Sequence, residues 1–335
     1  MHANVDETGV RPYRPVAIRA ACWLLFLAPF FYLTYGTANW LASERDDVGS
    51  IVFGWEHAIP FMAWTIVPYW SINLFYALSL FVNGTKAGVD RLARRYLTAQ
   101  IVAVICFVAF PLTGTFVRPE TSGLPGFMFA VLGGFDKPFN QAPSLHIALL
   151  VIIWDHLRHR LSGAPLLAWH LWCIVIGASV LTTWQHHFID IPTGALLGFF
   201  ALWLFPREGG LPASGFSVTK DVKARCLGVS YAAGAMLFLA TGITGAFSSP
   251  LWLVALWPAL SLGIVAFGYF GAGAKIFQKE TDGTVSLASR LVLAPYCLAA
   301  RINAWAWTRE LGTSVEIADG VFLGRFPRGG EAEAF

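Results

Sequence analysis

Three short segments carry residue types suited to chemistry at phosphorus: Arg118-Pro119, Pro143-Ser144-Leu145-His146 and His186-His187-Phe188-Ile189-Asp190. His186 and Asp190 are four residues apart, a spacing that puts both side chains on one face of a helix with the carboxylate in reach of an imidazole nitrogen. Such a contact fixes the ring's tautomer and raises the basicity of its other nitrogen. His186 is therefore a candidate nucleophile. His187 points roughly 100° away on the same geometry and reads as an outward or supporting residue. His146 follows a proline suited to a helix start, where free backbone N–H groups face an anion. From there it can protonate a leaving oxygen while Arg118 grips phosphate oxygens in bidentate fashion.

The elements that must position these groups are apolar. Of 335 residues, 56% are hydrophobic and only 13% charged, against roughly a quarter charged in an ordinary soluble domain. With a mean hydropathy of +0.59, the expected class is all-α, a polytopic helical membrane protein. The formal charge of +3 does not argue for nucleic acid, because Lys and Arg sit between apolar runs, where anionic lipid headgroups are nearer. A window of about 19 residues predicts eight spans, at about 19–39, 64–84, 96–115, 143–158, 165–184, 187–205, 225–246 and 250–271. The first is longer than a signal-peptide core and should stay uncleaved. Ile51 to Pro60 suits an interfacial segment, and Val285 to Trp307 a helix lying on the inner leaflet.

Basic clusters fix the expected orientation, since short loops rich in Lys and Arg stay in the cytoplasm. Arg11, Arg14 and Arg19 precede the first span; Lys86, Arg91, Arg94 and Arg95 follow the second; Arg158 and Arg160 follow the fourth. Arg207, Lys220, Lys223 and Arg225 follow the sixth, and Lys275 and Lys279 the eighth. Both termini are then cytoplasmic. The loop from Phe116 to Ala142 and the turn at Trp184 to His187 share the outer face of the plasma membrane, so all three chemical segments converge there.

Other readings of these residues compete. His57, His156, His159 and His170 read as interfacial side chains. His186, Asp190 and His146 could ligate zinc, but a clear third nitrogen or sulfur ligand is lacking and a neighbouring arginine would repel the ion. No metal or organic cofactor is expected. Cys22, Cys106, Cys173, Cys226 and Cys297 stand far apart and read as small core residues.

Arg-Pro, then Pro-Ser-x-His opening a span, then His-x-x-x-Asp at the next outward turn resembles the type 2 phosphatidic acid phosphatase superfamily over about residues 96 to 205. The resemblance implies that His186 forms a phosphohistidine, Asp190 orients it, His146 is the general acid and Arg118 binds phosphate. The family's lysine seven positions before that arginine is Pro111 here, and its Ser-Arg ahead of the third-motif histidine is Ser179-Val180. Lys137, on the same outer loop, is a candidate substitute cation, and Ser144 a candidate substrate contact. The shortened third motif, His-His-x-x-Asp, is similar to the branch containing inositol phosphorylceramide and sphingomyelin synthases. A site short of cations suits a phosphodiester, which carries less charge than a terminal phosphate monoester. Val315 to Arg325 resembles the opening strands of dual-specificity phosphatase domains, with no Cys-x5-Arg signature following.

The expected organisation is a cytoplasmic segment at 1–18, a six-span phosphatidic acid phosphatase-like core at 19–210 with its motifs in 116–190, two extra C-terminal spans in 211–271, and an inner-leaflet helix with a cytoplasmic tail at 272–335. The expected function is a lipid phosphatase or phosphotransferase acting on a membrane lipid with a phosphate headgroup. The competing readings are a headgroup transferase and a non-catalytic lipid-phosphate carrier or scaffold.

Overall fold

The apolar run Tyr13–Ser43 is one continuous helix in the computed structural model, which describes residues 13–280, 282–309 and 314–324. Arg11 and Arg325 lie outside the described residues. Eleven α-helices are formed among them: α1 Tyr13–Ser43, α2 Ile66–Phe81, α3 Lys86–Ala109, α4 Gly123–Gly133, α5 Leu145–Arg158, α6 Gly163–Thr182, α7 Asp190–Leu204, α8 Val222–Ala246, α9 Leu256–Phe267, α10 Leu287–Val292 and α11 Ala294–Thr308. An antiparallel hairpin, β1 Ser314–Ala318 and β2 Val321–Gly324, closes the described chain. The class is all-α.

Each of the eight expected spans contains a helix, but length and composition support crossing for five: Arg14–Ser43, Lys86–Ala109, Gly163–Thr182, Val222–Ala246 and Leu251–Phe277. These five apolar helices fit a membrane protein. The other three, α2, α5 and α7, have 16, 14 and 15 residues, short of the about 20 a crossing helix needs. The expected inner-leaflet helix is two helices, α10 and α11. The segment Ile51 to Pro60 holds a short 3-10 turn, Gly54–Ala58.

The described chain forms two compact units, Met1–Phe216 with Gln278–Leu291, and Ser217–Phe277 with Val292–Phe335. In the second, α8 packs along α9, and α11 also lies against α9. In the first, α5 is the hub and touches α2, α3, α6 and α7. Its Ile152 and Ile153 are fully buried.

Helix α3 begins ten residues before the span expected at about 96, because Thr85 caps it by accepting the Gly88 N–H at 3.1 Å. Arg91, Arg94 and Arg95 are thus on a helix rather than in a loop. Arg95 Nε donates to the Phe205 carbonyl at 2.8 Å, Arg91 donates to the carbonyls of Pro206 and Arg207, and Arg160 Nε donates to that of Val82 at 3.2 Å. These guanidinium groups satisfy carbonyls just past the ends of α7 and α2, where the helix dipole also favours a cation. Asp155 holds the cluster together, 2.8 Å from Arg158 and 3.5 Å from Arg95. The opposite ends of α3, α5, α6 and α7 carry the three chemical segments.

Close approach of α5 and α7 aligns two of those segments. A Cβ on Gly194 would stand 2.4 Å from the Ser144 carbonyl, and one on Gly198 would stand 2.8 Å from that of Ala148. Backbone atoms cannot yield as side chains do, so Gly194→Ala should destabilise the protein by about 1–3 kcal/mol. Gly36→Ala, in α1 with nothing within 4 Å of the new methyl, should be neutral or stabilising by up to about 1 kcal/mol. Thermal unfolding in detergent micelles separates the two; equal midpoints would refute the tight α5–α7 contact.

Candidate active site

The nucleophile candidate sits in a turn, not on a helix. Helix α6 ends at Thr182, and Trp184 then adopts φ 54°, the left-handed region costly for a bulky residue. The Trp184 indole N–H is anchored on the Ile59 carbonyl at 3.2 Å. The N–H groups of Gln185 and His186 both donate to the Val180 carbonyl, at 3.2 and 3.1 Å. Helix α7 starts only at Asp190, so the shared helix face expected for His186 and Asp190 does not exist. Their contact forms all the same, across the turn: His186 Nδ1 lies 3.0 Å from Asp190 Oδ2. The same oxygen accepts the His187 N–H at 3.0 Å.

Ser144 joins this unit from α5. Its N–H donates to the Asp190 carbonyl at 3.2 Å, and its Oγ accepts the Ile147 N–H and lies 3.3 Å from His186 Nε2. The Asp190 carboxylate can only accept at Nδ1, so the ring proton sits on that nitrogen. That contact assigns the lone pair to Nε2. Ser144 is fully buried and caps α5. It is a cap and a partner of His186. Pro143 precedes the cap instead of occupying the first helical position.

Of the two places expected for His187, outward or supporting, it takes the supporting one. The turn directs its ring inward: His187 is 3% exposed, with Nε2 accepting the Thr115 N–H at 3.1 Å and Nδ1 lying 3.2 Å from Glu56 Oε2. Glu56, wholly buried, also accepts the N–H groups of Phe188 at 2.9 Å and Phe53 at 2.8 Å. This clamp ties the Gly54–Ala58 turn, the α3–α4 connection and the His186 turn together. Glu56 was legible in the sequence only as a lone acidic residue in an apolar stretch, a costly group that signals a buried partner.

The α3–α4 connection continues from Thr115 to Arg118. Helix α4, which hydropathy did not single out, sets Phe129 beneath the Arg118 guanidinium, 4.8 Å from ring centroid to Cζ, a cation–π contact. Arg118 Nη1 is buried with no protein partner. From the next connection comes Asp136, whose Oδ1 accepts the Tyr35 hydroxyl at 2.8 Å. Burial pushes the Asp136 carboxyl above its usual range, while the Tyr35 hydrogen bond and the charges of His186 and Arg118 pull it back. Burial likewise lowers the Arg118 guanidinium, with Asp136 opposing.

Arg118, Asp136, Lys137, Gln141 and His186 border one cavity of about 400 Å³, within the usual size range of ligand sites. His146 is not among the residues bordering it. Its ring is stacked on Tyr69, centroids 4.1 Å apart, with Nε2 buried and unpartnered. Of the predicted site residues, the cavity thus gathers Arg118, Lys137 and His186, with Asp190 and Ser144 behind the last. Val180, at the position where the resembled family carries an arginine, is fully buried. Of the histidines read as interfacial, His156 is buried and His159 pairs with Asp155 at 3.4 Å. No set of three or more His, Cys, Asp or Glu side chains among the described residues is arranged to hold a metal ion. Comparison of the chain with protein-family models, curated proteins and solved structures returns no match.

Removing Glu56 strands three donors in the interior, each worth about 1–3 kcal/mol. Glu56→Ala should lower stability by about 3 kcal/mol or more in denaturant or thermal unfolding, whereas Glu120→Ala, exposed on the segment that carries Arg118, should leave it unchanged. A silent Glu56→Ala would show that the clamp does not hold the turn.

Proposed function

We propose that this chain is an integral-membrane enzyme that transfers a phosphoryl or phospho-headgroup from a lipid through a phosphohistidine, in the manner of the type 2 phosphatidic acid phosphatases it resembles. One observation carries this reading: a histidine with Nδ1 held by a buried carboxylate and a half-buried arginine with an unpartnered nitrogen border the same cavity.

The lone pair on His186 Nε2 attacks phosphorus, displacing the Ser144 hydroxyl contact as it does so. Asp190 stabilises the positive charge that develops on the ring. Arg118 offsets charge on the non-bridging oxygens, supported by Lys137. Water or a lipid alcohol then attacks the phosphohistidine and returns His186 to its starting state. The resemblance assigned proton donation to His146, but a ring stacked on Tyr69 outside the cavity lining is poorly placed for it.

The six-span core corresponds in this reading to α1, α2, α3, α5, α6 and α7, with α8 and α9 as additional spans. The short helix α5 sits among its neighbours and need not present a full bilayer length to lipid. With Arg91, Arg95 and Arg160 at the end of the core remote from the cavity, the bias of basic residues toward the cytoplasm puts the cavity at the outer face of the plasma membrane. Two cations, Arg118 and Lys137, border the cavity alongside one carboxylate. That modest positive balance favours a phosphodiester donor, and hence a headgroup transferase, as the second reading.

Purified protein incubated with phosphate-labelled phosphatidic acid or phospholipid should yield an acid-labile phosphohistidine. His186→Ala should abolish it and reduce turnover by about 10³-fold or more. Arg118→Ala should cost about 10²–10³-fold in kcat with the nucleophile intact. Free phosphate measured with and without a diacylglycerol or ceramide acceptor distinguishes hydrolysis from transfer. Full turnover by His186→Ala would end the proposal and leave a carrier or scaffold.

A further inference from the structure

A cavity suited to phosphate is bordered by a carboxyl group, and that combination needs an explanation. An ionised Asp136 would repel a phosphate anion in the same enclosed space. Among the described residues, Asp136 has no salt bridge, and its one side-chain hydrogen bond is that accepted from Tyr35 at Oδ1. That bond fixes the carboxyl plane and leaves Oδ2 as the oxygen able to carry a proton. The titratable and charged groups around it are Tyr35 from α1, Tyr69 from α2, Arg118 from the α3–α4 connection, the adjacent Lys137, and His186 from the α6–α7 turn. Burial already favours the protonated carboxyl, and a phosphate arriving at Arg118 adds a negative charge that favours it further.

Resting on the phosphohistidine reading, we infer that Asp136 is the catalytic acid and base of this cavity, the role that the motif pattern assigned to His146. In the first step His186 Nε2 forms a bond to phosphorus as the bond from phosphorus to the leaving oxygen breaks, and the Asp136 carboxyl gives its proton to that oxygen, releasing a neutral alcohol. In the second, the Asp136 carboxylate takes a proton from the incoming water or alcohol, whose oxygen bonds to phosphorus as the phosphorus–nitrogen bond breaks. The proton gained equals the proton lost, and no co-reactant beyond the acceptor is needed. Asp136 and His186 reach the one cavity from different connections.

The test compares leaving groups in full-length protein in detergent micelles. Asp136→Asn keeps the shape and the acceptor for Tyr35 but has no proton to give. With phosphatidic acid, whose leaving group is an alkoxide, its turnover should fall by about 10²–10⁴-fold. With p-nitrophenyl phosphate, whose phenolate leaves unaided, it should still release about one equivalent of nitrophenol in a burst and then stall with His186 phosphorylated. His146→Asn should lack this dependence on the leaving group. Equal losses on both substrates without a burst overturn the assignment, as does a burst displayed by His146→Asn instead. Inorganic phosphate should still protect Asp136→Asn against thermal unfolding; loss of protection would make Asp136 a structural residue and also overturn it. If the wild-type protein itself forms no phosphohistidine, the proposed function fails first, and that result is distinct from a failed Asp136 variant.

Discussion

The carboxylate of Asp190 is the point on which the site depends. One oxygen accepts from the His186 ring and the His187 backbone, while the residue's own carbonyl accepts from Ser144 at the start of the neighbouring helix. Its position in the first turn of α7 adds the favourable end of the helix dipole. A buried carboxylate is costly to desolvate, and donors and dipole together offset that cost. Three elements are thus registered by one side chain and its backbone, and none of the three would be held at this geometry by apolar packing alone.

Around that centre the polar groups follow a division along the first unit. At one end, arginines close helix C-termini and one aspartate links them. At the other, the buried polar groups are carboxylates and histidines set in tight turns. The Glu56 clamp belongs to this second set: it draws a distant 3-10 turn onto His187 and so fixes both the His186 turn and the strand of chain leading to Arg118. Such a clamp fixes the cavity wall, which is what the proposed placing of a guanidinium and an imidazole about one phosphate demands.

The cavity itself combines unlike groups. Arg118 is supported on the Phe129 ring and Asp136 accepts from the Tyr35 hydroxyl, so each of these two side chains has an aromatic partner that holds it without neutralising it. A cation and a carboxyl kept apart in this manner are available to a substrate, whereas a direct ion pair between them would consume both.

From the sequence alone, the helical class, the presence of apolar helices of spanning length, and the three chemical segments were all legible, because hydropathy and residue type are local properties. The contact of His186 with Asp190 was also foreseen, although the helix supposed to create it is a turn. What the sequence could not carry were relations between residues far apart in the chain: Glu56 on His187, Tyr69 over His146, and Asp136 on the same cavity as His186. Spacing along a helix predicts neighbours three or four residues away and is silent about partners as distant as the 131 positions between Glu56 and His187. Which histidine faces the cavity, and which is covered, was decided only when α2, α5 and α7 packed together and the connecting segments closed over their ends.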